Sequence, residues 1–94
     1  MSDKITRFDI VDYLKTEEDI TLYLEEAMQD NNPNILIAAL GDIARARSIN
    51  KISKDIGVNR VSLYKSLSGK TKVSFETIYK LIDNLGFRMQ IVPK

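Results

Sequence analysis

Few side chains in this sequence could do chemistry. The 94 residues contain no cysteine and no histidine, which removes thiolate nucleophiles, disulfides, the commonest zinc ligands and the usual general base. Of what remains, Ser62 with Lys65, or Glu25 with Asp30, could be drawn as a catalytic dyad. Neither has a third orienting group, a phosphate-cradling glycine loop or an evident pocket. The expectation is no enzymatic activity, no catalytic residue, no metal and no cofactor. A second group has a more coherent chemistry. Arg60, Val61, Tyr64 and Lys65 fall opposite Leu63 and Leu67 at helical spacing, so one face is apolar and the other mixes a guanidinium, an ammonium, a phenol ring and a methyl-bearing side chain. These are groups that read base edges in a DNA major groove: Arg or Lys to guanine O6 and N7, an apolar group to the thymine methyl. Asn59 and Ser62, at the start of that helix, and Lys70 and Lys72, in the loop beyond it, are placed to bond phosphate oxygens. The plainer alternative is a solvated face on an ordinary amphipathic helix.

The elements that must position these residues lie between Ser48 and Gly69, which reads as a helix-turn-helix. Ile52 and Ile56 are four apart and share a helical face. Gly57 can end that helix in the left-handed conformation, Val58 follows as an apolar plug, and Asn59 caps the next helix. Either Ser48 or Asn50 caps the first.

Charge supports the same division of labour. The net charge is +1, but residues 1–47 carry five basic against ten acidic side chains (−5), and residues 48–94 carry nine against three (+6). A basic half is what a phosphate-binding surface needs, because each neutralised phosphate releases counterions. The acidic half would be repelled by DNA and suits a basic protein partner. With 44% hydrophobic and 29% charged residues the composition is that of a globular protein. Its length predicts one domain, 1–94, with acidic helices over 8–47, the helix-turn-helix over 48–69, a loop and last helix over 70–86 and a strand-like tail over 87–92. The N-terminus lacks an apolar signal core, and the longest apolar run, Ile35 to Leu40, is short for a membrane span. A soluble cytoplasmic protein is expected, with no membrane partner.

Around this centre the expected fold is all-α, a five- to six-helix domain with a short C-terminal β-strand. Met1–Arg7 reads as a loose arm. Phe8, Val11 and Leu14 suggest a short helix. Thr16 and Asp19 form a capping box for a helix running to about Gln29, with Ile20, Leu24, Ala27 and Met28 inward and Tyr23, Glu25 and Glu26 outward. Asn32 and Pro33 open the next helix, which runs to about Arg47 with Leu36, Ala39, Leu40, Ile43 and Ala44 inward. Ser74 caps the last helix, with Phe75, Ile78, Leu81, Ile82 and Leu85 buried, and Gly86 ends it. Phe87 to Val92 then alternates apolar and polar. A single strand cannot satisfy its own hydrogen bonds, so Phe87, Met89 and Ile91 are candidates for pairing with a second copy or with a sheet in another protein.

The residues Phe8-Asp9-Ile10-Val11-Asp12-Tyr13-Leu14, Thr16-Glu17-Glu18-Asp19-Ile20, Tyr23-Leu24-Glu25-Glu26-Ala27, Leu40-Gly41-Asp42-Ile43-Ala44-Arg45-Ala46-Arg47 and Leu63-Tyr64-Lys65-Ser66-Leu67-Ser68 together resemble the addiction-module antidote proteins. These are small HigA-like antitoxins of bacterial or prophage type II toxin–antitoxin systems, with a helix-turn-helix of the phage-repressor kind. The resemblance covers Phe8 to about Phe87. It implies a basic partner toxin of the RelE/ParE kind that the antidote binds and neutralises, together with repression of the shared operon by a homodimer on operator DNA. Glu17, Glu18, Tyr23, Glu25 and Glu26 are then the candidate toxin surface. Two positions depart from the phage-repressor pattern: Ile49 stands where many such proteins carry a phosphate-binding glutamine, and Ser53 where they usually carry alanine. The alternative within the same fold is a free-standing dimeric transcriptional repressor with no toxin.

Overall fold

The computed structural model describes residues 9–94. The arm expected over Met1–Arg7, and Phe8 of the first helix, lie outside the described residues. All regular structure among those described is helical: a 3-10 turn, Ile10–Tyr13, then α1 (Glu17–Met28), α2 (Pro33–Arg47), α3 (Ile49–Ile56), α4 (Arg60–Leu67) and α5 (Phe75–Asn84). They fall into two compact units, one ending at Ala46 and the other spanning Arg47–Lys94.

In the first unit the polar residues between helices act as caps. Asp9 Oδ1 accepts from the Val11 N–H at 3.1 Å and opens the 3-10 turn. Thr16 Oγ1 accepts from the Asp19 N–H at 3.0 Å, and Asp19 Oδ2 accepts from the Thr16 N–H at 3.1 Å and the Lys15 N–H at 3.2 Å. This reciprocal pair satisfies donors that the first helical turn leaves unpaired. Hydrogen bonding to Thr16, first through its backbone N–H and then through its side chain, holds the Asp19 carboxyl below its ordinary value. Asn32 Oδ1 accepts from the Asn34 N–H at 2.9 Å, leaving Pro33 the first helical position, where a missing N–H costs nothing. The buried side chains are Leu14, Ile20, Ala27, Ala39, Leu40, Ile43 and Ala44.

Two expectations for α1 are corrected. Met28 is 65% exposed. Tyr23, expected outward, is half-buried, and its hydroxyl donates to Asp42 Oδ2 of α2 at 2.6 Å. The buried stripe is centred on Ile20 and Ala27, and at helical angles Met28 stands about 80–100° to one side, whereas Tyr23 stands within about 60° on the other. Asp42 Oδ1 also accepts from Arg45 Nη2 at 3.0 Å, and the same nitrogen lies 3.6 Å from Asp9. One carboxylate thus links α1 to α2, and its arginine reaches back to the cap of the 3-10 turn.

In the second unit α3 packs against both α4 and α5. Ser48 is the cap of α3, its Oγ accepting from the Lys51 N–H at 3.3 Å. The helix ends at Gly57 with φ 73°: the Gly57 N–H donates to Lys54 O at 3.3 Å and the Val58 N–H to Ser53 O at 3.0 Å. That pair of bonds needs a left-handed residue between them, which glycine supplies without steric cost. Ile52, Ile56, Leu63, Leu67, Leu81 and Leu85 form the buried apolar set. Ser53 and Ser66 are buried with them, and each hydroxyl is satisfied within its own helix, Ser53 donating to Asn50 O at 2.9 Å and Ser66 to Leu63 O at 3.1 Å. Ser74 Oγ accepts from the Thr77 N–H at 3.1 Å and opens α5.

Phe75, expected in the core, is 68% exposed. The inward stripe of α5 runs through Ile78, Leu81, Ile82 and Leu85, and Phe75 lies about 70° off its centre, on the flank occupied by Tyr79. The two rings pack on each other instead, centroids 6.2 Å apart and tilted by 41°. Beyond α5 the segment 87–94 carries no regular structure, and the described residues contain no strand.

Candidate nucleic-acid interface

The outer face of α4 is set by its inner one. Leu63 and Leu67 are buried, which turns Val61, Tyr64 and Lys65 outward together, whereas Arg60, seven residues before Leu67 and so on the same side of the helix, is exposed because it stands at the start of the first turn. Val61 is 53% and Tyr64 52% exposed, a high value for an apolar and an aromatic side chain set side by side between two cations. All four expected base-reading residues are exposed, Val61, Tyr64 and Lys65 on the outer face of α4 and Arg60 at its N-terminal edge, a correction to the expectation that Arg60 lies opposite the leucines.

The candidate phosphate residues flank it. After α4, Gly69 takes φ 87°, with the Gly69 N–H on Ser66 O at 3.3 Å and the Lys70 N–H on Lys65 O at 2.9 Å. This closure throws Lys70, Thr71 and Lys72 out as an exposed loop at the end of the helix. At the other end, Asn59 is chiefly a cap. Its Oδ1 accepts from the Val61 N–H at 2.9 Å and the Ser62 N–H at 3.1 Å. Those two donors are already held, so a phosphate there would meet the Asn59 amide NH2, the Ser62 hydroxyl and the Arg60 N–H.

Electrostatics single out this surface. No acidic residue occurs between Asp55 and Glu76. Lys51 pairs with Asp55 at 3.4 Å and Lys80 with Glu76 at 3.1 Å, whereas Arg60, Lys65, Lys70 and Lys72 have no ion-pair partner among the described residues. Clustered cations without counter-charges repel one another and hold a standing attraction for a polyanion. Lys54, exposed and likewise without an ion pair, belongs with them. It lines an open depression of about 580 Å³ with Ser48, Asn50, Lys51 and Ser53. The sequence signal for it was present, a lysine in the last turn of α3, but on its own it reads as a favourable charge at a helix C-terminus.

The remaining expected sites are distributed differently. Glu17, Glu18, Glu25 and Glu26 are exposed on α1, while Tyr23 turns toward Asp42. Burial, then the hydrogen bond to Asp42, pushes the Tyr23 phenol up to about 12. In the tail Phe87 is half-buried, Met89 exposed and Ile91 98% exposed. Among the described residues no group of carboxylates could hold a metal ion, and no helix is long and apolar enough to cross a membrane.

A family model described as "Probable addiction module antidote protein" matches residues 4–93. The chain belongs to this family. It is also 41% identical over 91 residues to an uncharacterized protein of Haemophilus influenzae, a match covering 97% of this chain and 94% of the relative. No solved structure matches it. Family membership points to an antidote role, with a toxin as partner, and to a regulatory protein in place of an enzyme.

Proposed function

We propose that this protein is a HigA-like antitoxin of a type II toxin–antitoxin module, which neutralises a RelE/ParE-type toxin and represses its own operon by binding operator DNA as a homodimer in the cytoplasm of a bacterium or from a prophage. In this reading the chain is one helix-turn-helix domain. α3 and α4 form a helix-turn-helix of the phage-repressor kind, and α4 lies in the major groove. Arg60, Val61, Tyr64 and Lys65 choose the bases, while Asn59, Ser62, Lys70 and Lys72 fix the register on phosphates. The observation that carries it is the face of α4: two cations without counter-charges, enclosing an exposed valine and tyrosine, followed by a loop with two more such cations.

One such helix reads only a few base pairs, so two are needed, about 34 Å apart on a palindromic site. The tail, with Phe87, Met89 and Ile91, is proposed to pair as a strand, with its own copy or with a sheet in another protein. The acidic face of α1, through Glu17, Glu18, Glu25 and Glu26, meets the basic toxin, and Tyr23 sets that helix against α2.

The test is co-expression of the tagged protein with the product of the adjacent small reading frame. A stable complex, together with relief of the neighbour's toxicity, is the expected result. If the neighbour is not bound, the antitoxin reading fails and a free-standing dimeric repressor takes its place.

A further inference from the structure

The aromatic pair on α5 belongs to none of the surfaces described so far. Phe75 and Tyr79 stand 68% and 56% exposed with their rings against each other. Asp83 continues the same line at four-residue spacing, and Glu76 and Lys80, paired at 3.1 Å, border it. Two large rings side by side on a water-facing helix, with nothing among the described residues covering them, form an apolar patch that a partner could bury.

Charge says which partner. The second half of the chain is strongly basic, and its α4 face and following loop carry no acid. Two copies of this unit repel across nearly any surface. The α5 face is the exception, because it holds two of the three acidic residues of residues 48–94, Glu76 and Asp83, beside Lys80. A face with both signs around an apolar centre is self-complementary under a two-fold axis: with the two α5 helices antiparallel, Lys80 of each copy meets Glu76 or Asp83 of the other while the rings stack between them. A nucleic acid is repelled by Glu76 and Asp83, and a basic toxin finds more negative charge on α1. We infer that the Phe75–Tyr79 face of α5 is the surface on which two copies of this chain associate, leaving the α4 face of each open. The inference rests on the reading of the protein as a homodimer and assigns its contact to α5 in place of the tail, which is then left for a sheet in another protein.

The experiment is sedimentation equilibrium of the full chain and of the double variant Phe75→Ala/Tyr79→Ala. Both side chains are exposed, so the helices form in the variant, as circular dichroism and cooperative thermal unfolding will show. The wild type is expected at 21.4 kDa, twice 10.7 kDa, and the variant as a monomer, its dimer weakened about a hundredfold or more. A second variant, Tyr79→Cys, exploits the absence of any native cysteine: on oxidation it cross-links to its own copy, whereas Thr71→Cys does not. A wild type that sediments as a monomer overturns the homodimer reading and this inference together. A double variant that remains dimeric, with Ile91→Asp monomeric, overturns the α5 surface alone and returns the contact to the tail.

Discussion

Tyr23→Phe removes one oxygen from the protein, and the structure fixes what that should cost. The hydroxyl donates to Asp42 Oδ2 at 2.6 Å in a partly buried setting, a short bond to an ionised acceptor. The phenol is pushed from 10.0 up to about 12, first by burial and then by Asp42. Two pH units correspond to about 2.7 kcal/mol if the whole shift became stability. The phenol is only partly buried, so solvent screening reduces the figure, and about 1 kcal/mol is expected for Tyr23→Phe at neutral pH. The sign with pH follows from the direction of the shift. A folded state that holds the phenolic proton more tightly has this contribution in full below pH 10 and loses it as pH rises toward about 12. Denaturant unfolding of wild type and variant should differ by about 1 kcal/mol at neutral pH, and the two curves should converge in that alkaline window. An ultraviolet titration of phenolate, wild type minus variant, isolates Tyr23 from the other three tyrosines. A difference signal that titrates at 10, or equal stabilities at neutral pH, would refute the bond between α1 and α2.

Other substitutions probe the remaining supports. Leu63→Ala empties a fully buried position beneath the α4 face and should cost about 2–5 kcal/mol by thermal unfolding. Asn59→Ala removes the acceptor for two N–H groups; about 1 kcal/mol of stability should go with it, even in the absence of DNA. Gly57→Ala forces a Cβ into φ 73° and should destabilise by about 1 kcal/mol, measured in denaturant, although nothing stands near the added methyl. Asp19→Asn should flatten the acid limb of the stability curve: a carboxyl held below its ordinary value contributes stability at neutral pH that is lost as pH falls through its folded value.

The caps were legible because they are local. Thr16 with Asp19, Asn59 and Ser74 satisfy N–H groups within three residues of themselves, so the sequence neighbourhood alone dictates their role. Of the two candidates for opening α3, Ser48 and Asn50, spacing could not choose. The hydrogen bond from Lys51 to Ser48 does. Stripe centres such as Ile20, Leu40, Leu63 and Leu81 were equally plain, since any packing buries the middle of an apolar face. The flanks were not. Met28, Phe75 and Tyr23 each lie well off a stripe centre, where the position of a neighbouring helix decides burial, and that neighbour is remote in sequence. For Tyr23 the deciding partner, Asp42, is 19 residues away. The α4 face was readable for the opposite reason, because Leu63 and Leu67 fix its orientation from within the same eight residues. The lack of acids between Asp55 and Glu76 is in the sequence, and the structure adds that the flanking Asp55 and Glu76 are paired with Lys51 and Lys80.

The measurement that bears most directly on the proposed role is the salt dependence of binding to the DNA upstream of the protein's own gene, for wild type, Arg60→Ala and Lys72→Ala, with a random duplex as reference. If α4 reads bases, Arg60→Ala weakens the upstream site by about 1–3 kcal/mol and the random duplex by less. Lys72→Ala should weaken both alike and lower the salt slope by about one unit. Equal losses on both duplexes for Arg60→Ala, with no preference of the wild type for its own upstream DNA, would contradict the assignment of α4 as a sequence-reading helix.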